Sequence, residues 1–325
     1  MTHSFHDLTP DLVLDLVEKG IGARSANFCR PLSSYINRVY DVELESGEWI
    51  VVKFYRPGRW RREAIEEEHA FMRELEERDV PVVAPLVLRD GATVGEHEGM
   101  FYALFPKRAG RAYEEPDEEG WLALGRLVGR VHAVGETRPP RGRITMSPAE
   151  SSAGHLKAIL DSGLIPERHQ GAYQSAAREL IDLITPMWRD LRLMRIHGDL
   201  HYGNLLHRPG SSLVVIDFDD MALGPPVQDI WMLLPNHQEE CYTEIELFLE
   251  GYTLFRPFDR RTLRLIEPLR GMRYLHFTAW CCAQQTDGGG LSRVVPFWGT
   301  DEYWSGAIRD LRDQIGEIGR TDDNS

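Results

Sequence analysis

One stretch of the chain, residues 197–220, constrains the fold more than any other. It begins His-Gly-Asp-Leu-His-Tyr-Gly-Asn and ends Val-Val-Ile-Asp-Phe-Asp-Asp. The pattern places Asp199, Asn204 and Asp217 at the spacing at which a phosphate-transferring enzyme has a base and two magnesium ligands. A single aspartate at a strand end is common, whereas three polar positions with this spacing are not.

The segment between the second and third of these residues predicts a β-hairpin. Two short apolar runs flank a turn rich in Pro, Gly and Ser, which is typical of tightly connected strands. A hairpin centred between Gly210 and Ser211 pairs Asn204 with Asp217. Both side chains would then emerge at the same open end, beside Asp199.

The chemistry expected at that open end is metal-assisted phosphoryl transfer. Magnesium prefers hard oxygen ligands and takes one or two of them from protein, so Asn204 and Asp217 are the predicted metal ligands. We count Asp217 as catalytic for the same reason. The motif contains no Lys or Arg that would neutralise Asp199, and we therefore expect Asp199 to accept a proton from a substrate hydroxyl.

The same residues allow a second interpretation. His197, Asp199 and His201 alternate, with His207, Asp217 and Asp219 nearby, which could indicate a zinc or dinuclear metallohydrolase. That interpretation explains neither Asn204 nor the first hundred residues.

The N-terminal part supplies a second group of candidates. Val39–Leu44 and Trp49–Tyr55 are predicted strands, and Lys53 lies inside the second one. Lysine is rarely buried without a partner, so we expect a carboxylate on the following helix, Arg62–Glu77. Four of its glutamates are candidates: Glu63, Glu66, Glu67 and Glu68. Glu68 is our choice for the Lys53 partner, and the other three are expected on a solvated face.

The segment before these strands is the predicted phosphate loop. It contains no G-x-G-x-x-G pattern, but Ser33 and Ser34 could offer backbone N–H and side-chain O–H donors to phosphate oxygens. An ordinary β-turn remains the alternative.

The first lobe should end after the strand Phe101–Phe105, and a mainly helical region should follow. In that region Asp229 opens an apolar helix and is expected to accept backbone N–H bonds from the Asp199 loop. We expect Gly288–Gly290 to be a flexible break and Gly319–Ser325 a frayed tail.

Several motifs together resemble the bacterial stress response kinase A (YihE) family, within the aminoglycoside phosphotransferase and choline kinase-like superfamily. The resemblance covers nearly the whole chain, and its motifs are S-Y-x-N-R-V-Y from Ser34, V-V-K-F-Y-R-P from Val51, E-E-H from Glu67, V-P-V-V-A-P from Val80, H-G-D-L-H-x-G-N from His197, I-D-x-D-D from Ile216, Q-D-I-W-M-L-L from Gln228, and the aromatic pairs Phe297-Trp298 and Tyr303-Trp304. The H-G-D-x-x-x-x-N element alone indicates only the wider group, and the first two motifs narrow it.

The resemblance implies an α+β, two-lobed protein-kinase-like fold, with an antiparallel-sheet N-lobe over residues 1–106 and a helical C-lobe over 107–325. It also implies an ATP- and Mg²⁺-dependent kinase that phosphorylates Ser or Thr on a protein and acts in stress response. The site residues carried over are Asp199 as proton acceptor, Asn204 and Asp217 as magnesium ligands, Ser34 as an ATP-contacting residue, and Lys53 with Glu68 as the ion pair at the nucleotide phosphates. Asp-Phe-Asp replaces the eukaryotic D-F-G and no A-P-E follows, so we do not expect a phosphorylated activation loop.

Composition limits the partners. The 325 residues carry a net charge of −14 with a pI of about 5.4, which argues against general binding to nucleic acids or anionic membranes. We expect neither a signal peptide nor a membrane span. The four cysteines form no C-x-x-C pair, so we expect free thiols in a cytoplasmic protein. We also expect the protein to be a monomer. Two other functions remain open: a small-molecule kinase for an aminoglycoside, choline or homoserine, and a nucleotide-binding scaffold without turnover.

Overall fold

The computed structural model describes residues 5, 8–34, 36–114, 116–207, 213–286, 291 and 295–323. An antiparallel sheet forms the N-terminal part, and a mainly helical region follows it. Within these residues the strands are β1 Ser25–Leu32, β2 Arg38–Leu44, β3 Trp49–Phe54, β4 Gly95–His97, β5 Met100–Pro106, β6 Arg111–Ala112, β7 Met194–Ile196, β8 Leu205–His207, β9 Val214–Val215 and β10 Ala222–Gly224. The α-helices are α1 Pro10–Ile21, α2 Arg62–Glu76, α3 Glu118–Gly135, α4 Ala153–Asp161, α5 Glu167–Ile184, α6 Gln228–Trp231, α7 Tyr242–Thr253, α8 Ile266–Thr286 and α9 Asp301–Asp323.

The N-terminal sheet has the strand order β1-β2-β3-β5-β4, and all of its pairs are antiparallel. Successive side chains of each strand point to opposite faces of the sheet, and the two faces have different neighbours. One face packs Val42, Val52 and Leu104 against α1. The other face carries Lys53, which lies directly opposite Val39 on β2, so the lysine points away from the α1 core.

Helix α2 packs beside that second face. Ile65, Phe71 and Leu75 are fully buried along one side, as their helical spacing predicts. Glu68 is buried with them at 1% exposure. The expectation that the other three glutamates are solvated is wrong for Glu67, which is 7% exposed and bonds Arg138 at 2.6 Å. A cation supplied from a distant part of the chain gives no local sequence signal.

The helical region is organised around α3 and α7, which approach each other very closely. A Cβ atom on Gly125 would lie 1.9 Å from the carbonyl oxygen of Phe248, and one on Gly251 would lie 2.2 Å from that of Leu122. Only glycine permits this backbone contact. His132, near the end of α3, lies 2.9 Å from the Tyr252 hydroxyl of α7 and also contacts the buried Asp229 described below.

The hairpin of β8 and β9 differs from the predicted one by one residue. Leu205 pairs with Val215, and the Ile216 N–H donates to the Asn204 carbonyl at 3.0 Å. The predicted pairing of Asn204 with Asp217 is therefore wrong, although both residues still lie at the open end. The turn on which the prediction was centred, 208–212, is outside the described residues.

The expected frayed tail is also wrong over residues 319–323, which continue α9. Helix α9 packs on α5 and α8 through Trp304, Leu311 and Ile318, all nearly fully buried. This packing stabilises α9 up to Ile318, and the helix continues from there to residue 323. The glycine run at 288–290 is outside the described residues. Among the helices that are described, none combines the length and the apolarity needed to cross a membrane.

Candidate active site

The backbone of the Asp199 loop donates hydrogen bonds to a buried carboxylate. Asp229 accepts the N–H groups of His197 at 2.7 Å and Gly198 at 2.8 Å, which confirms the structural role expected for it. His132 lies 3.0 Å from the same carboxylate. Burial alone would raise the pKa of Asp229, but the hydrogen bond and charge of His132 lower it overall. The loop is therefore built on an ionised carboxylate.

Gly198 is required at the start of this loop. It has φ +87°, and a Cβ there would lie 2.2 Å from the carbonyl oxygen of Asp220. The loop and the Asp217–Asp220 segment thus touch backbone to backbone, a contact that a side chain would prevent.

Asp199 itself is not free of positive charge, contrary to expectation. Arg273 on α8 places Nη1 2.9 Å from Asp199 Oδ1, and His201 Nε2 lies 3.7 Å from Oδ2. The expectation failed because it considered only the cations of the motif, whereas Arg273 lies 74 positions further along the chain. The Asp199 side chain is 18% exposed, so it remains reachable from solvent.

The two predicted magnesium ligands lie at the ends of the hairpin strands. The side-chain amide nitrogen of Asn204 donates to the Asp199 carbonyl at 2.9 Å, which orients the amide. Its other atom, the amide oxygen, is a ligand type that suits a hard cation. Asp217, two residues after the end of β9, adopts the left-handed conformation with φ +60°, and its carboxylate lies 2.9 Å from Lys53 Nζ. Hard oxygen donors of this kind fit magnesium.

Lys53 is surrounded by three carboxylates. Its Nζ lies 2.9 Å from Asp217, 3.4 Å from Asp219 and 3.7 Å from Glu68. Burial would lower the pKa of Lys53, but the three carboxylates raise it well above its ordinary value. Burial raises the pKa of Glu68 to about 7, against the opposing effect of Lys53. The predicted Lys53–Glu68 pair is present, but the contact with Asp217 is closer.

These residues line one cleft between the sheet and the helical region. The cleft has a volume of about 490 Å³, and Ser34, Lys53, Glu68, Asn204 and Asp217 all border it. Its remaining walls are largely apolar, formed by residues such as Val39, Val51, Met72, Val83, Phe105, Leu206, Ile216 and Phe218. An apolar slot that ends in a lysine and oxygen ligands has the dimensions and chemistry of a nucleotide site. Tyr35, beside Ser34, is outside the described residues.

Sequence reasoning missed two arginines that connect the lobes. Arg59, just after β3, lies 2.9 Å from Asp219 and 2.6 Å from Asp220. The buried Arg143 donates to the Met221 carbonyl at 2.7 Å and to the Ala64 carbonyl at 3.2 Å. Together they tie α2 to the Asp-Phe-Asp-Asp segment. Arg59 belongs to the motif R-P-G-R-W after the lysine strand, a signal that could have indicated a charged contact.

The geometry does not favour a metallohydrolase. His197 uses both ring nitrogens on the backbone, because Nε2 donates to the Ile216 carbonyl at 3.0 Å and Nδ1 accepts from the Asp199 N–H at 3.3 Å. His201 Nδ1 accepts the N–H of Gly203 at 3.0 Å. In the described parts of the chain, no group of three or more His, Cys, Asp or Glu side chains is placed to hold a metal ion.

Comparison with known proteins agrees with this geometry. Residues 29–266 match the model of the phosphotransferase enzyme family (APH). Stress response kinase A of Escherichia coli K12 is 39% identical over 303 residues, covering 93% of this chain and 90% of that protein. Serine/threonine protein kinase RdoA of Salmonella typhimurium LT2 is 38% identical over the same length and coverage. The chain belongs to the stress response kinase A family.

The fold of this stress response kinase A family member is shared with solved phosphotransferases. Amicoumacin kinase hAmiN, solved with AMP-PNP, Ca²⁺ and Ami, superimposes with a TM-score of 0.74 at 20% identity and covers 94% of this chain and 93% of its own. A microcompartment-associated aminopropanol kinase gives a TM-score of 0.71 at 18% identity, with coverages of 96% and 97%. The expected α+β kinase-like fold is confirmed, and the chain is a member of the phosphotransferase enzyme family.

Proposed function

We propose that this protein is an ATP- and magnesium-dependent kinase that phosphorylates Ser or Thr on a protein substrate. The supporting observation is that Lys53, Asn204 and Asp217 border one cleft whose open end adjoins Asp199. The relatives that are named as serine/threonine kinases match over nearly the entire chain. We place the lobe boundary after Pro106, where β5 ends, with an N-lobe over 1–106 and a C-lobe over 107–325.

In this proposal the adenine lies between the apolar walls, and the phosphates extend under the loop that contains Ser34. Lys53, kept charged by its carboxylate neighbours, contacts the α- and β-phosphates and leaves Asp217 when they arrive. Asn204 and Asp217 would hold magnesium. Bound there, the ion would neutralise the charge that develops on the phosphate oxygens.

The transfer itself needs one base. Asp199 orients the Ser or Thr hydroxyl and accepts its proton. The hydroxyl oxygen forms a bond to the γ-phosphorus while the bond from that phosphorus to the ADP oxygen breaks. The products are ADP and the phosphorylated side chain.

The test is a comparison of acceptors. Purified protein is incubated with labelled ATP and magnesium, together with a basic generic protein, an aminoglycoside, choline or homoserine. We expect label on Ser or Thr of the protein acceptor or of the enzyme. Rapid, saturable labelling of a small acceptor without protein labelling would establish the small-molecule kinase instead. ATP binding without any transfer would establish the scaffold. Fractionation of the source cells tests the expected cytoplasmic location, and gel filtration the monomer.

A further inference from the structure

Helix α8 brings an arginine to the reacting end of the cleft. Arg273 Nη1 lies 2.9 Å from Asp199 Oδ1, yet this buried oxygen has no aligned hydrogen bond. The contact is therefore an ion pair with imperfect geometry. Such a pair can be exchanged for a better one without the loss of a strong hydrogen bond.

The same nitrogen of Arg273 also contacts a neutral histidine ring. Nη1 donates to His276 Nδ1 at 3.3 Å, and His276 stacks on His155 with ring centroids 4.9 Å apart. Burial lowers the pKa of His276 to about 3, so the ring does not repel the guanidinium near neutral pH. A cavity of about 80 Å³ lies beside Gly198 and Asp220. Arg273 and His276 also line this cavity, which leaves the arginine side chain room to move.

Two other basic side chains of the described residues, Lys53 and His201, lie nearby but do not take the place of Arg273 at Asp199 Oδ1. Lys53 is held among Asp217, Asp219 and Glu68 on the nucleotide side. His201 is the other ion-pair neighbour of Asp199 in the described residues, but its Nε2 lies farther from the carboxylate, at 3.7 Å. Arg273 thus places a planar guanidinium with several N–H donors beside Asp199 on the acceptor side.

We propose that Arg273 is a catalytic residue of the phosphoryl transfer, which holds Asp199 while the acceptor is absent and contacts the transferring phosphoryl group when ATP and the acceptor are bound. The inference rests on the proposed function. A transferring phosphoryl group spreads negative charge over three oxygens, and it competes with a single carboxylate for a planar guanidinium. Transfer of the arginine to the phosphoryl oxygens would release Asp199 to accept the hydroxyl proton. Arg273 gives up no proton in this step.

The experiment compares Arg273→Met, Arg273→Lys and a matched control, Arg264→Met, which removes an exposed arginine just before the same helix. Arginines that contact a transferring phosphoryl group contribute roughly 1000-fold or more to kcat. We expect Arg273→Met to lose about that factor in kcat with an ATP KM within about threefold of wild type. Arg273→Lys should retain part of the rate, millimolar methylguanidine should partly restore Arg273→Met, and Arg264→Met should match wild type.

A second measurement separates catalysis from structure. If Arg273 and Asp199 serve one step, the double variant Asp199→Asn with Arg273→Met should be little slower than the slower single variant. A kcat of Arg273→Met within about threefold of wild type would overturn the inference. So would a lower thermal midpoint with no recovery by methylguanidine. Wild-type protein that transfers to no acceptor would contradict the proposed function itself, which distinguishes the two failures.

Discussion

Asp199 is the residue on which the proposed chemistry depends most directly. Its carboxylate is 18% exposed, and its backbone is fixed through the bonds that Asp229 makes to the two preceding residues. None of the three residues that form these hydrogen bonds, His197, Gly198 and Asp229, lines the nucleotide cleft. Loss of the carboxylate should therefore affect proton acceptance without removing a group that holds ATP.

We predict that Asp199→Asn lowers phosphotransfer about 100-fold or more, the usual scale for losing a general base. ATP affinity should stay close to that of wild type, because Lys53 and the apolar walls are unchanged. Single-turnover transfer and nucleotide titration measure the two quantities. Asp182→Asn, an exposed position on α5, is the matched control. An Asp199→Asn enzyme with near wild-type turnover on its proper acceptor would remove Asp199 from this role.

At the scale of single elements, the hairpin of β8 and β9 carries both ligands of the proposed magnesium site. It provides the Asn204 amide oxygen and the Asp217 carboxylate, and Lys53 contacts that carboxylate at 2.9 Å. Two protein oxygens are too few to hold magnesium tightly without phosphate oxygens. The element is therefore expected to bind metal together with a nucleotide.

We predict that magnesium or manganese binds tightly only when a non-hydrolysable ATP analogue is present. Calorimetric titration of each metal, with and without the analogue, measures this directly. Asp217→Asn should abolish the nucleotide-dependent binding, whereas Asp182→Asn should not change it. Stoichiometric zinc in nucleotide-free protein would instead support a hydrolase site at His197 and His201.

Helix α2 carries a second feature whose consequence appears in stability. His69 is 1% exposed and its two ring nitrogens contact Tyr55 and Thr93 at 2.9 and 2.8 Å. Burial, with a smaller contribution from Lys53 and Arg143, lowers the pKa of His69 to about 3. An unfolded histidine titrates near pH 6.5, so between these values the unfolded state binds a proton that the folded state does not. His69 therefore costs no stability above pH 6.5 and lowers it as the pH falls.

We predict that His69→Gln reduces the loss of stability between pH 7.5 and 5 by about 2 kcal/mol relative to wild type. Urea unfolding at the two pH values gives the difference. Thr93→Val removes a contact of the same ring but no titratable group, and should lower stability equally at both pH values. Parallel pH dependence in wild type and His69→Gln would show that His69 titrates normally in the folded protein.

Elements were easier to predict than the contacts between them. Local periodicity and turn residues predicted β3, which contains Lys53, as well as α2 and the hairpin of β8 and β9. The family motifs indicated which residues form the cleft. Arg273, Arg59 and Glu67 escaped because their partners lie far away in sequence. The Lys53–Asp217 contact escaped because a sequence motif identifies ligands but does not show which of them contact one another.

At the scale of the whole molecule, the main feature is its charge of −14. A protein acceptor must approach the open end of the cleft, where Asp199 is 18% exposed and the Asp217 side chain 50% exposed. The electrostatic field of a protein with this net charge attracts basic proteins over distances near the Debye length, about 10 Å at 0.1 M salt. Electrostatic attraction of this kind acts mainly on encounter and less on the chemical step.

We predict that transfer to a basic protein is favoured at low salt and weakens as salt rises, through KM and with little change in kcat. Initial rates with labelled ATP are measured for one Ser-containing substrate in two forms, with Lys or with Glu flanking the acceptor, from about 0.03 to 0.5 M salt. The Lys form should lose its advantage over this range, while the Glu form should change little or improve. A control with saturating substrate separates KM from kcat. Equal salt dependence for both forms would show that net charge does not select the acceptor, and that recognition depends on local contacts around Asp199.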